Sequence, residues 1–365
     1  MGRLQTTIIL GLYFFCYTIP QYIPNIMYVY DRVTAQLLFL SVLNVISFLF
    51  IIQKHSLDSF LSNFQDKYHF YSYLGFVIIS ALSLFAAENV IAGLVSLTKI
   101  FIFFTSYLII VFLSQNKKLN FLKTFLSFVL IGVFIESVFI NYLFYDSVIT
   151  NGNVLERGNN FKGLTANINI SSFSIALKIP FLLYIIFMKK NKFLRIVSFV
   201  LLYSSFLTIL LLLSRAAILA LVFVLLALIF LFIFNLNKVY IKNFSGILIC
   251  IFLSFISYQF INDKNPTDLI TDRFSTVTDP GSDDSVKERV NFYSTAVMSI
   301  QKNPLLGIGV GNWKIISIKY SKDIIKEYRV PYFVHNDFLQ VMAETGILGG
   351  LLFVFFIFYP FYMTL

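Results

Sequence analysis

The run from Ala216 to Asn235, AAILALVFVLLALIFLFIFN, holds nineteen consecutive residues without a polar side chain before its closing asparagine. A helix rises 1.5 Å per residue, so about 20 such residues cross the hydrocarbon core of a bilayer. The run lacks the alternation of a barrel strand. Similar stretches recur along the 365 residues, which are 58% hydrophobic and only 13% charged; a soluble protein carries about a quarter charged residues. The fold class is therefore all-α, a polytopic helical membrane protein.

Working outward, about ten spans are expected, near 4–23, 33–52, 73–87, 90–113, 121–145, 167–188, 196–213, 216–235, 242–261 and 336–360. With Arg3 placed inside, alternation puts Lys54, Lys67, Lys117, Lys118, Lys189, Lys190, Lys192, Arg195, Lys238 and Lys242 on the inner side. The short outer loops then keep only Arg32, Arg157, Lys162 and Arg215, as the positive-inside rule requires. This topology puts 262–334 on the external face. The net charge of +10 is explained by these inner loops, with no nucleic-acid partner. Cys16 and Cys250 lie inside apolar runs and read as small buried hydrophobes, not a disulfide. No A-x-A-like cleavage site follows the first segment, which reads as a retained helix. The chain stops at Leu365 straight after an apolar run, and a truncated C-terminus is expected.

The one substantial polar region, 262–334, has nearly balanced charges. Ser285 and Glu288 form a Ser-x-x-Glu capping box, with acids at the start of a helix. That helix should end at Lys302, since Asn303-Pro304 stops it. Arg289, Tyr293, Ala296 and Ile300 share one of its faces by spacing. Gly307-Ile308-Gly309-Val310-Gly311 reads as a flexible turn before Asn312 and Trp313, the only tryptophan. No Gly-Lys-Ser/Thr follows it, so a nucleotide loop is excluded.

Four residues stand out. Ser214-Arg215 joins two spans with almost no loop. Its guanidinium is either a snorkelling interfacial charge or an anchor for phosphate oxygens. Arg289 is either a solvated charge or a second such anchor. His335 closes the polar region, as a satisfied interfacial imidazole or as a general base, a role the imidazole ring suits. No metal site is expected there, because His55 and His69 fall on the opposite side. Glu344 lies nine residues after His335. On a straight helix it faces away from it, about 13 Å further in, and lines up with Asp337 and Gln340 in a polar stripe towards the bundle interior. A carboxylate there needs a partner, and a structural role is expected. Gly346, Gly349 and Gly350 permit close helix packing.

These motifs, in order, resemble the O-antigen ligase and polysaccharide polymerase family. The resemblance rests on Ser214-Arg215-Ala216-Ala217, on Arg289 and the Asn303-Pro304 to Trp313 segment, on His335-Asn336, and on Glu344-Thr345-Gly346 with Gly349. Asn167-Ile168-Asn169 after Gly163 is similar to the family's Gly…Asn-Pro-Asn segment, with Ile168 replacing proline. The resemblance covers about 160–355 and divides the chain into N-terminal helices (1–160) and a ligase-like domain (161–365).

It implies a glycosyltransferase of polysaccharide or lipopolysaccharide biosynthesis in the cell envelope. The protein would be multi-pass in the bacterial inner membrane, with its site facing the periplasm. The donor would be a glycan on undecaprenyl diphosphate, and the acceptor a hydroxyl on lipid A-core, a glycan or a protein. By that analogy Arg215 and Arg289 hold the diphosphate with Asn336 beside them, and His335 deprotonates the acceptor. Neither a cofactor nor a metal is implied, since the donor already stores the energy, and single displacement inverts the anomeric centre. A repeat-unit polymerase and a protein O-oligosaccharyltransferase share this pattern. Transporters of the same lipid-linked sugars tend to place charges or broken helices near the bilayer midplane, often in inverted repeats, whereas here the charges are expected to gather at one face and no repeat is evident.

Overall fold

A computed structural model describes residues 2–18, 32–64, 67–151, 167–234, 238–261, 284–321 and 332–363. Among these the elements are helices, with no strand. In chain order they are α1 (Arg3–Thr18), α2 (Arg32–Ile52), α3 (Leu57–Ser62), α4 (Tyr68–Leu82), α5 (Val90–Ser114), α6 (Phe121–Asn151), α7 (Ile168–Met188), α8 (Lys192–Leu212), α9 (Arg215–Phe234), α10 (Lys238–Ile261), α11 (Asp284–Lys302), α12 (Trp313–Ser321) and α13 (Asp337–Tyr362). A 3₁₀ turn, Ser83–Ala86, extends α4.

Among the described residues, 9 helices are long and apolar enough to cross a membrane. They are α2, α4 to α10 and α13, so the all-α polytopic class stands. The tenth expected span corresponds to α1, which has 16 residues; positions 19–31 lie outside the described residues.

Three spans, α4, α8 and α10, begin four or five residues earlier than apolarity alone suggests, and two of them show a local reason. Helix α8 starts at Lys192, where the Asn191 side chain accepts the Leu194 N–H at 3.2 Å. Helix α4 starts at Tyr68, before its apolar run, with His69 stacked on Tyr359 at 6.4 Å. Caps and amphipathic rings extend helices past the apolar core.

The chain forms two compact units that interleave along the sequence. The first unit contains Leu40–Ser114 and Asp279–Leu365; the second contains Gly2–Phe39 and Gln115–Thr278.

In the first unit α4 packs along α13. Tyr73, Phe76 and Phe104 form its aromatic core with Phe353 and Phe356, the Tyr73 and Phe356 rings lying 4.3 Å apart. Gly75 faces Leu352 and Gly349 faces Ile79, so small residues let the two backbones approach. Gly346 serves otherwise. Its φ of 78° and ψ of 175° break α13 there, and a Cβ at this position would collide with the carbonyl oxygens of Leu305 and Pro304.

In the second unit α7 packs on α8 and α9, and α8 also on α6 and α10. Val133, Ile175, Ile179, Leu182, Leu202 and Ile209 are among its fully enclosed side chains.

Candidate active site

The site is built where α11, α12 and the start of α13 meet in the first unit. Phe292, Tyr293, Ala296 and Ile300 of α11 pack with Ile308, Trp313, Ile316, Val334, Leu339 and Ala343. This small core gives the polar region a fixed shape. Helix α11 ends at Lys302, as Asn303-Pro304 dictates. It begins at Asp284, so Ser285 lies inside the first turn, not at the cap. Of the face marked by spacing, Tyr293, Ala296 and Ile300 pack inward, whereas Arg289 is exposed one turn before Phe292 and Tyr293.

His335 sits between this helix and α13. It is one of two described non-glycine residues with positive φ, at 62°, a conformation that costs an L residue about 1–2 kcal/mol. Two contacts and a neighbouring cap hold it there. The Tyr293 hydroxyl donates to the His335 carbonyl at 3.4 Å. The Phe292 ring stacks on the imidazole, with centroids 6.1 Å apart. Next door, Asn336 caps α13, its Oδ1 accepting the N–H groups of Phe338 at 3.1 Å and Leu339 at 3.2 Å. The imidazole is thereby presented at the surface, at the mouth of a helix, on the side of α11 from which Arg289 projects one turn earlier.

Glu344 does different work. Buried inside α13, its Oε2 accepts the Gly311 N–H at 2.8 Å, and its Oε1 accepts the Trp313 N–H at 3.3 Å and the Gln340 amide at 3.5 Å. The carboxylate thus caps the start of α12, where the helix dipole and free N–H groups favour an anion. Gln340 continues the chain by accepting the Val334 N–H at 3.2 Å. One polar path therefore runs from the residue before His335, through Gln340 and Glu344, to the glycine turn. Asp337 lies apart from it, exposed in the first turn of α13.

The Gly307–Gly311 turn is not loose. Gly307, Gly309 and Gly311 have φ of 66°, 90° and 72°, and the turn is packed on all sides. A Cβ on Gly307 would lie 2.5 Å from the Ala343 carbonyl oxygen, and one on Gly309 would lie 2.5 Å from Ala87. Ile308 N–H donates to Ala343 O at 2.9 Å, Val310 N–H to Ser83 Oγ at 3.0 Å, and Asn89 N–H to Asn312 Oδ1 at 2.8 Å. Glycine is needed here for backbone approach, and the turn ties α12 to the α4–α5 corner and to α13.

Arg215 belongs to the second unit. It is half-buried at the first position of α9, directly after Leu213 (φ 48°) and the buried Ser214. Ser214 Oγ donates to Asn169 Oδ1 at 3.1 Å, and Asn167 caps α7 by accepting the Asn169 N–H at 2.9 Å. The Asn167-Ile168-Asn169 and Ser214-Arg215 segments, 45 residues apart, are therefore one cluster. A cation at a helix start opposes the dipole, so the position of Arg215 does not serve helix stability.

Reading by motif missed one constellation. In the second unit Lys178 Nζ lies 2.8 and 2.9 Å from the Glu136 carboxylate oxygens and 2.6 Å from Ser174 Oγ, all within α6 and α7. Both charges are almost fully buried. The signal was available, since an acid and a base inside apolar spans each demand a partner; only their pairing needed the fold.

Residues 199–354 match the sequence model of a family described as O-antigen ligase. The match bears out the resemblance read from the motifs and supports assigning the chain to that family, with a ligase- or polymerase-like function in general. It spans Arg215, Arg289, His335 and Glu344. No curated protein matches the chain.

Proposed function

Taking membership of the O-antigen ligase family as premise, we propose that the protein transfers a glycan from a lipid diphosphate, undecaprenyl diphosphate, to an acceptor hydroxyl at the outer face of the bacterial inner membrane. The observation that carries this reading is the presentation of His335, held exposed in a left-handed conformation by Phe292 and Tyr293 of the helix that bears Arg289. A merely structural histidine gains nothing from backbone strain, whereas a base must project towards its substrate.

In the proposed step the His335 imidazole accepts the acceptor hydroxyl proton as that oxygen attacks the anomeric carbon. The bond from that carbon to the diphosphate breaks, and the lipid diphosphate departs with the electron pair. Arg289 stabilises the charge that develops there. Arg215, at the head of α9, is proposed as an anchor for phosphate oxygens in its own unit. One displacement inverts the anomeric centre. Glu344, Gln340 and Asn336 position the base and touch no reacting atom.

Reconstitution with lipid-linked oligosaccharide and separate acceptors (lipid A-core, glycan, protein) tests this. His335→Ala should lower transfer by about 10²–10⁴-fold, the usual worth of a general base, and Arg289→Ala and Arg215→Ala should each weaken it. Full transfer by all three variants sinks the assignment. Trapping of a covalent glycosyl-enzyme refutes single displacement.

A further inference from the structure

At one end of the second unit, the C-terminal half of α7, the C-terminal half of α9 and the first turn of α10 enclose a groove of about 310 Å³. That is near the lower end of the roughly 300–1,000 Å³ usual for small-molecule sites. Pro180, inside α7, forms part of one wall, and it removes a rung from the helix ladder there. Leu183, Phe187, Leu228 and Phe232 make the rest apolar. Tyr184, Met188 and Leu231 are 37%, 58% and 52% exposed, so the groove opens on the outer surface of the helices, where acyl chains lie in a membrane.

Its rim is cationic. Lys189 caps α7, with its Nζ 5.5 Å above the Tyr184 ring that lines the groove. Lys190 and Lys192 follow, exposed, and α10 opens with the exposed Lys238 and Lys242. The end of α7 and the start of α10 are one place, because the Phe187 and Tyr240 rings stack at 5.0 Å and Asn243 Nδ2 donates to Ile186 O at 3.1 Å. No acid occurs anywhere from Phe181 to Asn262, so α7 beyond Pro180, α8, α9 and α10 offer these lysines no carboxylate.

An apolar floor with lysines and, among the described residues, no carboxylate at its mouth is complementary to an amphiphile with an apolar chain and an anionic head. We propose that this groove binds an anionic phospholipid of the surrounding bilayer, its acyl chain against Leu183 and Leu228 and its phosphate on Lys189, Lys190 and Lys192. A zwitterionic lipid fits the floor and gains little from the rim. Inorganic phosphate meets the rim and leaves the floor empty. The inference is independent of the transfer reaction.

Native mass spectrometry of the full chain, given equal phosphatidylglycerol and phosphatidylcholine, tests it. Wild type should retain phosphatidylglycerol preferentially, with each engaged lysine adding about fivefold. Lys189→Gln, Lys190→Gln and Lys192→Gln together should abolish that preference while phosphatidylcholine adducts persist. Ala227→Trp, which fills the groove, should diminish both adducts; if that variant does not fold, the lysine variant decides alone. Equal retention of the two lipids by wild type overturns the proposal. So does an undiminished preference in the lysine variant, or displacement of the lipid by inorganic phosphate. A dimer that Ala227→Trp dissociates assigns the groove to a second copy and overturns it as well.

Discussion

At the scale of single residues, the polar groups near His335 divide by what they touch. His335 is exposed and strained, while Glu344 is buried and receives three donors. An amide in place of that carboxylate turns an N–H towards Gly311 or Trp313, leaving two donors face to face in a buried place. An unsatisfied buried group costs about 1–3 kcal/mol. Glu344→Gln should therefore loosen the start of α12 and lower the thermal midpoint. The only tryptophan, buried at Trp313, reports that loosening through its emission on heating. A transition identical to wild type refutes the capping role.

Elements within the membrane are constrained more harshly, because an unpaired charge there has no water to turn to. Glu136 on α6 and Lys178 on α7 satisfy one another and Ser174, so the pair fixes which faces of those helices meet. Removing one partner of a buried pair costs about 3–5 kcal/mol, whereas replacing both with apolar residues is often neutral. Lys178→Met should thus destabilise the chain sharply, and adding Glu136→Leu should restore most of the loss, as read by thermal unfolding in detergent. Equal stability of wild type and Lys178→Met counts against the pair as a fastener. The helices themselves were legible beforehand, since apolar length declares a span. The starts of α4 and α8 were not, because Asn191, Lys192 and Tyr68 extend those helices through capping and interfacial side chains that a hydropathy reading places outside.

For the molecule as a whole, the proposed transfer makes a prediction about products. Cells lacking the protein, supplied with the His335→Ala chain, should accumulate full-length glycan on its lipid carrier if the step is ligation. Single repeat units on the carrier instead identify a polymerase. Normal glycan output with His335→Ala contradicts both.

The residues alone determined the class of this protein, because nineteen apolar residues in a row, with further long apolar stretches along the chain, have no folded state in water as favourable as a membrane helix. They also determined the order of motifs that marks the family, and the end of α11 at Asn303-Pro304. Tertiary structure alone decided what those motifs do. It turned the Gly307–Gly311 stretch from a loose turn into a packed joint, since only folding brings Ala343 and Ala87 against it. It also gave Glu344 to the amides of α12 and paired Glu136 with Lys178. Each of these contacts joins residues at least 31 positions apart. Periodicity reports only what neighbours on one helix share, and which distant partner meets a buried polar group depends on how the helices pack.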